Sequence, residues 1–139
     1  MSGQAAGERA QATERNVARV RVAAGPLLGP VLARVVSMTL ARADWPVDRL
    51  DDALLVCDAL SAHAPAYAGA GRFAFSVNAN EREAELRVLE LTAGEAAALV
   101  RDTMLPVVGN VIERLAAVVS VEPDERGEGS ELVLVLNSR

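Results

Sequence analysis

Apolar and polar positions along the chain divide it into segments of two periods. "NVARVRVAA", Asn16 to Ala24, alternates, with Ala18, Val20 and Val22 on one side and Arg19 and Arg21 on the other. That is the period of a strand with one wet face. In "GPLLGPVLARVVSMTLARA" the apolar residues Leu28, Val31, Leu32, Val35 and Met38 or Thr39 recur at helical spacing. Pro30 suits the first turn of that helix, where a backbone N–H is not needed. After the break "DWPVD", a second helix begins near Val47 or Asp48. Its stripe is Leu50, Ala53, Leu54, Cys57 and Leu60 or Ser61. Pro65 ends it, because the residue before a proline is pushed out of the helical region.

"APAYAGAG", Ala64 to Gly71, reads as a loop, and "RFAFSVNA" and "EAELRVLEL" then alternate on either side of the turn "NERE". This is a β-hairpin pattern. "TAGEAAALVRD" predicts a short helix, and "LPVVGNVIERLAAVV" a longer one carrying Val108, Val111, Ile112 and Leu115. "VVSVEP", the turn "DERGEGS" and "ELVLVLNS" predict a closing hairpin. The order β-α-α-β-β-α-α-β-β fits an α/β two-layer sandwich, a mixed or antiparallel sheet with its helices on one face. The predicted strands lie near Val17–Ala23, Phe73–Ala79, Glu85–Leu91, Val119–Glu122 and Leu132–Leu136. No repeat or linker divides the segments. A single domain over 15–139 is therefore expected, behind a polar tail, 1–14, with no apolar run suited to a signal peptide.

Half of the residues are hydrophobic but only 3% are aromatic, so the core must be built of valine, leucine and alanine. A net charge of −5 argues against nucleic acid and anionic membranes and permits a basic protein partner. No stretch approaches the roughly 20 apolar residues of a membrane span. One cysteine, Cys57, cannot form an internal disulfide, which fits a reducing cytoplasm.

The reactive residues are few. One histidine, His63, and one cysteine cannot close a zinc site of about four ligands. Ser61, His63 and Asp58 invite comparison with a hydrolytic triad, but residues two apart on a helix point in different directions. There is no G-x-S-x-G elbow, no phosphate-binding lysine and no G-x-G-x-x-G turn.

What remains is a pattern over most of the chain. "LDDALLVCDALSAHA" is similar to L-x-D-x-x-L-A-V-S-E-A-x-x-N-A-x-x-H-A, and is followed in order by the hairpin, "LRVLELTAG", "VVGNVIERLAAVVSV" and "GEGSELVLVL". From roughly Val17 to Leu136 this resembles the anti-sigma factor kinases of the GHKL (Bergerat-fold) ATPases, small bacterial regulators of partner switching. The resemblance implies a Bergerat-like sandwich, a homodimer, and a sigma factor or an anti-anti-sigma (STAS) protein as partner. It also places a nucleotide site. The family's general-base glutamate falls on Asp58, its Mg²⁺-holding asparagine on Ala62 and its adenine-reading aspartate on Thr92. Gly94 and Gly109 match its glycines, and Gly129 and Ser130 match its final G-T box.

The departures matter most. Mg²⁺ requires hard oxygen ligands, and phosphoryl transfer depends on holding phosphate charge. Ala62 offers no ligand atom and Thr92 no carboxylate. No asparagine occurs between Leu50 and Tyr67, and no aspartate between Asp58 and Asp102. The site is read as vestigial, with no cofactor expected: an anti-sigma-like binding protein rather than an enzyme. A divergent serine kinase using ATP, Mg²⁺, Asp58 and a rearranged metal site is the alternative, and an α/β domain of unrelated function is a third reading. The segment from Thr92 to Gly109, a nucleotide-ordered lid in the kinases, is rich in alanine and leucine here. It is expected to be helical without nucleotide, with Leu99, and Val100 or Leu105, packed into the vacated space.

Overall fold

The computed structural model describes residues 15–63, 66, 71–92, 94–105 and 109–139, with the backbone alone at 104 and 105. The expected tail 1–14, Pro65 and Val108 lie outside the described residues, as does the Leu105 side chain. Strands β1 (Asn16–Ala23), β2 (Arg72–Ala79), β3 (Glu83–Thr92), β6 (Val118–Pro123) and β7 (Gly129–Asn137) form one sheet in the order β1-β2-β3-β7-β6. Every pairing in it is antiparallel. A two-residue ribbon, β4 (Met104–Leu105) with β5 (Gly109–Asn110), stands apart from it.

The two faces of the sheet differ in chemistry. Register places Phe75 opposite Val20 and Val88, and Val77 opposite Ala18 and Leu86. Leu86 and Val88 in turn face Leu134 and Leu132. These residues join one apolar cluster with the buried stripes of the helices α1 (Leu28–Arg42), α2 (Val47–His63), α3 (Glu95–Asp102) and α4 (Val111–Leu115). The other face carries Arg19, Ser76, Asn78, Glu85, Arg87 and Glu131, so the helices cover one side only. The architecture is α/β, a five-stranded antiparallel sheet with helices packed on it. None of those helices, among the described residues, is long and apolar enough to cross a membrane.

The first two helices follow their sequence pattern with a small rotation. In α1 the buried residues are Leu28, Leu32, Val36, Thr39 and Leu40. In α2 they are Ala53, Val56, Cys57, Ala59 and Leu60, with Leu54 only half-buried. Trp45, in the break between these helices, is buried and donates its indole N–H to the Asn80 carbonyl at 2.8 Å. Asn80 also holds the β2–β3 turn, its side-chain oxygen accepting from the Arg82 and Glu83 N–H groups at 2.9 Å.

The helix expected over "LPVVGNVIERLAAVV" is much shorter, only Val111–Leu115. Asn110 caps it by accepting from the Glu113 N–H at 3.1 Å, which fixes its start. Its end is set by the sheet: Ala116 is already extended, and the Ala117 N–H donates to the Val135 carbonyl at 2.7 Å. Pairing with β7 wins over continued helix in a stretch of β-branched valines.

Candidate functional site

The residues that the sequence marked for a nucleotide site fall into two groups. Thr92, Gly94, Gly129 and Ser130 meet where β3 ends and β7 begins. Thr92 pairs with Gly129 and Leu91 with Ser130. Ser130, almost fully buried, donates its hydroxyl to the Thr92 carbonyl at 2.8 Å. The Thr92 N–H donates to the Glu95 carboxylate at 2.6 Å, so both backbone polar groups of Thr92 are engaged within the chain. Gly94 opens α3 at φ +87, a left-handed conformation that a side chain rarely adopts.

Gly129 is required by space rather than by its dihedral. A Cβ there would lie 2.6 Å from the Leu91 carbonyl oxygen and 2.7 Å from Asp124 Oδ2. That carboxylate organises the β6–β7 turn, accepting from the N–H groups of Arg126 (3.0 Å), Glu128 (3.1 Å) and Gly129 (3.0 Å). Desolvation pushes the Asp124 carboxyl upward, but the backbone N–H groups, led by that of Gly129, outweigh it and hold the group below its ordinary value.

The second group is on α2 and just ahead of α4. Asp58 and Ala62 are i and i+4 neighbours on an exposed face of α2. The Asp58 carboxylate makes no hydrogen bond or ion pair among the described residues, and Ala62 presents only a methyl. The triad geometry is not assembled either: the Ser61 hydroxyl donates back to the Asp58 backbone carbonyl at 3.2 Å. Gly109, at φ +82, precedes the Asn110 cap of α4. The Asn110 side-chain N–H₂ donates to the Val100 carbonyl at 2.9 Å, which ties α4 to the end of α3. No group of three or more histidine, cysteine, aspartate or glutamate side chains converges on a metal position among the described residues.

Between these groups lies α3. Ala96 and Leu99 are fully buried in the common core, with Val100 packed against it, and the helix contacts β3, β7 and α2. Cys57 is buried in the same core. Burial first, and the neighbouring Asp58 charge second, push its thiol up to about 12, so it is no nucleophile near neutral pH.

Two features of the sheet face opposite the helices were not anticipated. Register between β3 and β7 slips after Val88, and Glu90 stands at φ +61 within this bulge. The bulge turns Glu90 outward to pair with Arg21. Beside it a depression of about 560 Å³ is lined by Arg19, Ala74, Leu89, Glu125, Arg126 and Glu131, among others. The second feature is Arg87, whose guanidinium bonds Glu85, Glu122 at 2.9 Å and Glu131 at 2.9 Å. Strand alternation alone puts Glu85 and Arg87 on one face. The long-range partners need the pairing register. Comparison of the chain with protein-family models and with curated proteins finds no match.

Proposed function

We propose that the chain is a regulatory binding protein with a Bergerat-like fold that holds a protein partner without ATP. By its resemblance to the anti-sigma factor kinases, that partner is a sigma factor or an anti-anti-sigma (STAS) protein. The observation that carries the reading is Leu99. It is fully buried in the core, within a helix formed where the kinases have a lid ordered by nucleotide. On this reading, buried side chains order the segment that nucleotide orders in the kinases. The absence of a carboxylate at Thr92 and of a ligand atom at Ala62 supports the same reading, since neither adenine nor Mg²⁺ finds its usual anchor.

One observation favours the kinase alternative: Asp58 is exposed and its carboxylate makes no hydrogen bond or ion pair among the described residues, so a carboxylate is accessible on α2. Titration calorimetry distinguishes the two. The reading predicts heat on mixing the chain with a purified sigma factor or STAS protein of the same organism, unchanged by Mg-ATP. It also predicts no heat with Mg-ATP alone. Mg-ATP binding that EDTA abolishes, followed by phosphorylation of the STAS protein, would establish the kinase instead.

A further inference from the structure

The depression on the sheet face opposite the helices has a volume of about 560 Å³, within the roughly 300–1,000 Å³ of small-molecule sites. Its floor is the cross-strand pair Ala74 and Leu89, both buried although neither belongs to the core cluster. One wall is the edge strand β1, with Arg19 and Arg21. The other is the β6–β7 turn, with Asp124, Glu125 and Arg126. Between them the β3 bulge holds Glu90 at φ +61. A residue other than glycine keeps such a conformation only where its surroundings impose it, and residues of this kind gather at ligand sites.

Charge decides what this depression can hold. Three of its carboxylates are committed: Glu90 to Arg21, Asp124 to the N–H groups of its turn, and Glu131 to Arg87. Arg21 is committed to Glu90 in return. The side chains of Arg19, Arg126 and Glu125 also line the depression, and they make no hydrogen bond or ion pair among the described residues. Two uncommitted cations against one uncommitted anion leave a single surplus positive charge, in a chain whose net charge is −5. We infer that the depression binds a small organic monocarboxylate, its carboxylate held by Arg19 and Arg126 and its apolar body seated over Ala74 and Leu89. A guanidinium fork matches the two oxygens of a carboxylate, and the arginine stems add methylenes to the walls. A bare inorganic anion would leave the apolar floor unused. A polyanion would set its excess charge against Glu90, Glu125 and Glu131.

The site lies on the sheet face away from α3, so it stands or falls separately from the partner-binding reading. The test is a titration of the full chain at low salt, followed by the backbone amide signals in nuclear magnetic resonance. Benzoate is the probe, benzamide its neutral match in shape, and inorganic phosphate the charge without the body. Benzoate should shift the amides of Ala74, Leu89 and Arg126 and saturate with a Kd of about 1 mM, ordinary for so small a ligand. Benzamide should shift none of them, and phosphate should bind more weakly than benzoate. Arg19→Gln and Arg126→Gln should each weaken benzoate about tenfold, the loss of one charge-assisted contact. Arg34→Gln, an equal change of charge at an exposed position of α1, should leave it unaltered. All of these variants should keep the wild-type circular dichroism, since the changed side chains are exposed. Shifts that do not saturate overturn the proposal, and so do shifts at the helix side alone. Equal binding of benzamide or of phosphate also overturns it, as does benzoate affinity that either arginine variant retains.

Discussion

The Ser130 hydroxyl reaches the Thr92 carbonyl oxygen across 2.8 Å, joining residues 38 apart in the chain. This bond closes the end of the β3–β7 ladder beside Gly129, where the Leu91 carbonyl and the Asp124 carboxylate leave no room for a side chain. Gly129→Ala would force a methyl against the Leu91 carbonyl and the Asp124 carboxylate, both under 3 Å from its ideal position. Overpacking of this kind costs about 1–3 kcal/mol. Urea denaturation should show a lower midpoint with an unchanged slope; an unaltered midpoint would contradict the tight approach.

Asp124 makes stability depend on pH. Its folded value is lowered by the turn's N–H groups, so its contribution is present above the ordinary carboxylate value of about 3.9 and is lost as pH falls through the lower folded value. Asp124→Ala should therefore lower the melting temperature at pH 7. The gap to wild type should close as the pH is taken below about 4. A gap independent of pH would show that the carboxylate is not what holds the turn.

Arg87 binds three glutamates, and its guanidinium is held above its ordinary value, led by the bond to Glu85 with burial opposing. Arg87→Gln removes the shared cation from Glu85, Glu122 and Glu131. The expected loss is up to about 1 kcal/mol, the upper end for partly exposed ion pairs. It should shrink at 1 M salt, where screening acts over about 3 Å. Thermal melts of both proteins at low and high salt provide the check; a loss insensitive to salt would assign Arg87 a packing role.

Much of the strand pattern was legible in the sequence because alternation reports burial directly. Phe73, Phe75 and Val77 face the core, and Arg72–Ala79 is a strand over the whole of "RFAFSVNA". Helix lengths were less legible. The valines after Leu115 satisfy either period, and only the Ala117 bond to Val135, which belongs to another segment of chain, decides between them. The bulge at Glu90 was invisible for the same reason, since it depends on β3 register with β7 and not on local sequence. At the candidate site, the losses at Ala62 and Thr92 could be read from residue type. That Thr92 and Ser130 are bonded to each other could not.

Cys57 should behave as a buried hydrophobe. Its thiol is raised from 9.0 to about 12, so its contribution to stability is complete below pH about 9 and lost as pH rises toward 12. A thiol reagent such as 5,5′-dithiobis(2-nitrobenzoate) should react slowly with native protein at pH 8 and rapidly in urea. Fast reaction of the native protein would place the sulfur at the surface.

The central claim is that α3 is ordered by its own side chains and not by nucleotide. Amide hydrogen exchange across Glu95–Asp102, with and without Mg-ATP, tests it directly. Ala96 and Leu99 sit in the core, and helices anchored in this way open only by larger unfolding events. The account predicts slow exchange in the free protein, unchanged by Mg-ATP. Fast exchange that becomes slow when Mg-ATP is added would contradict it.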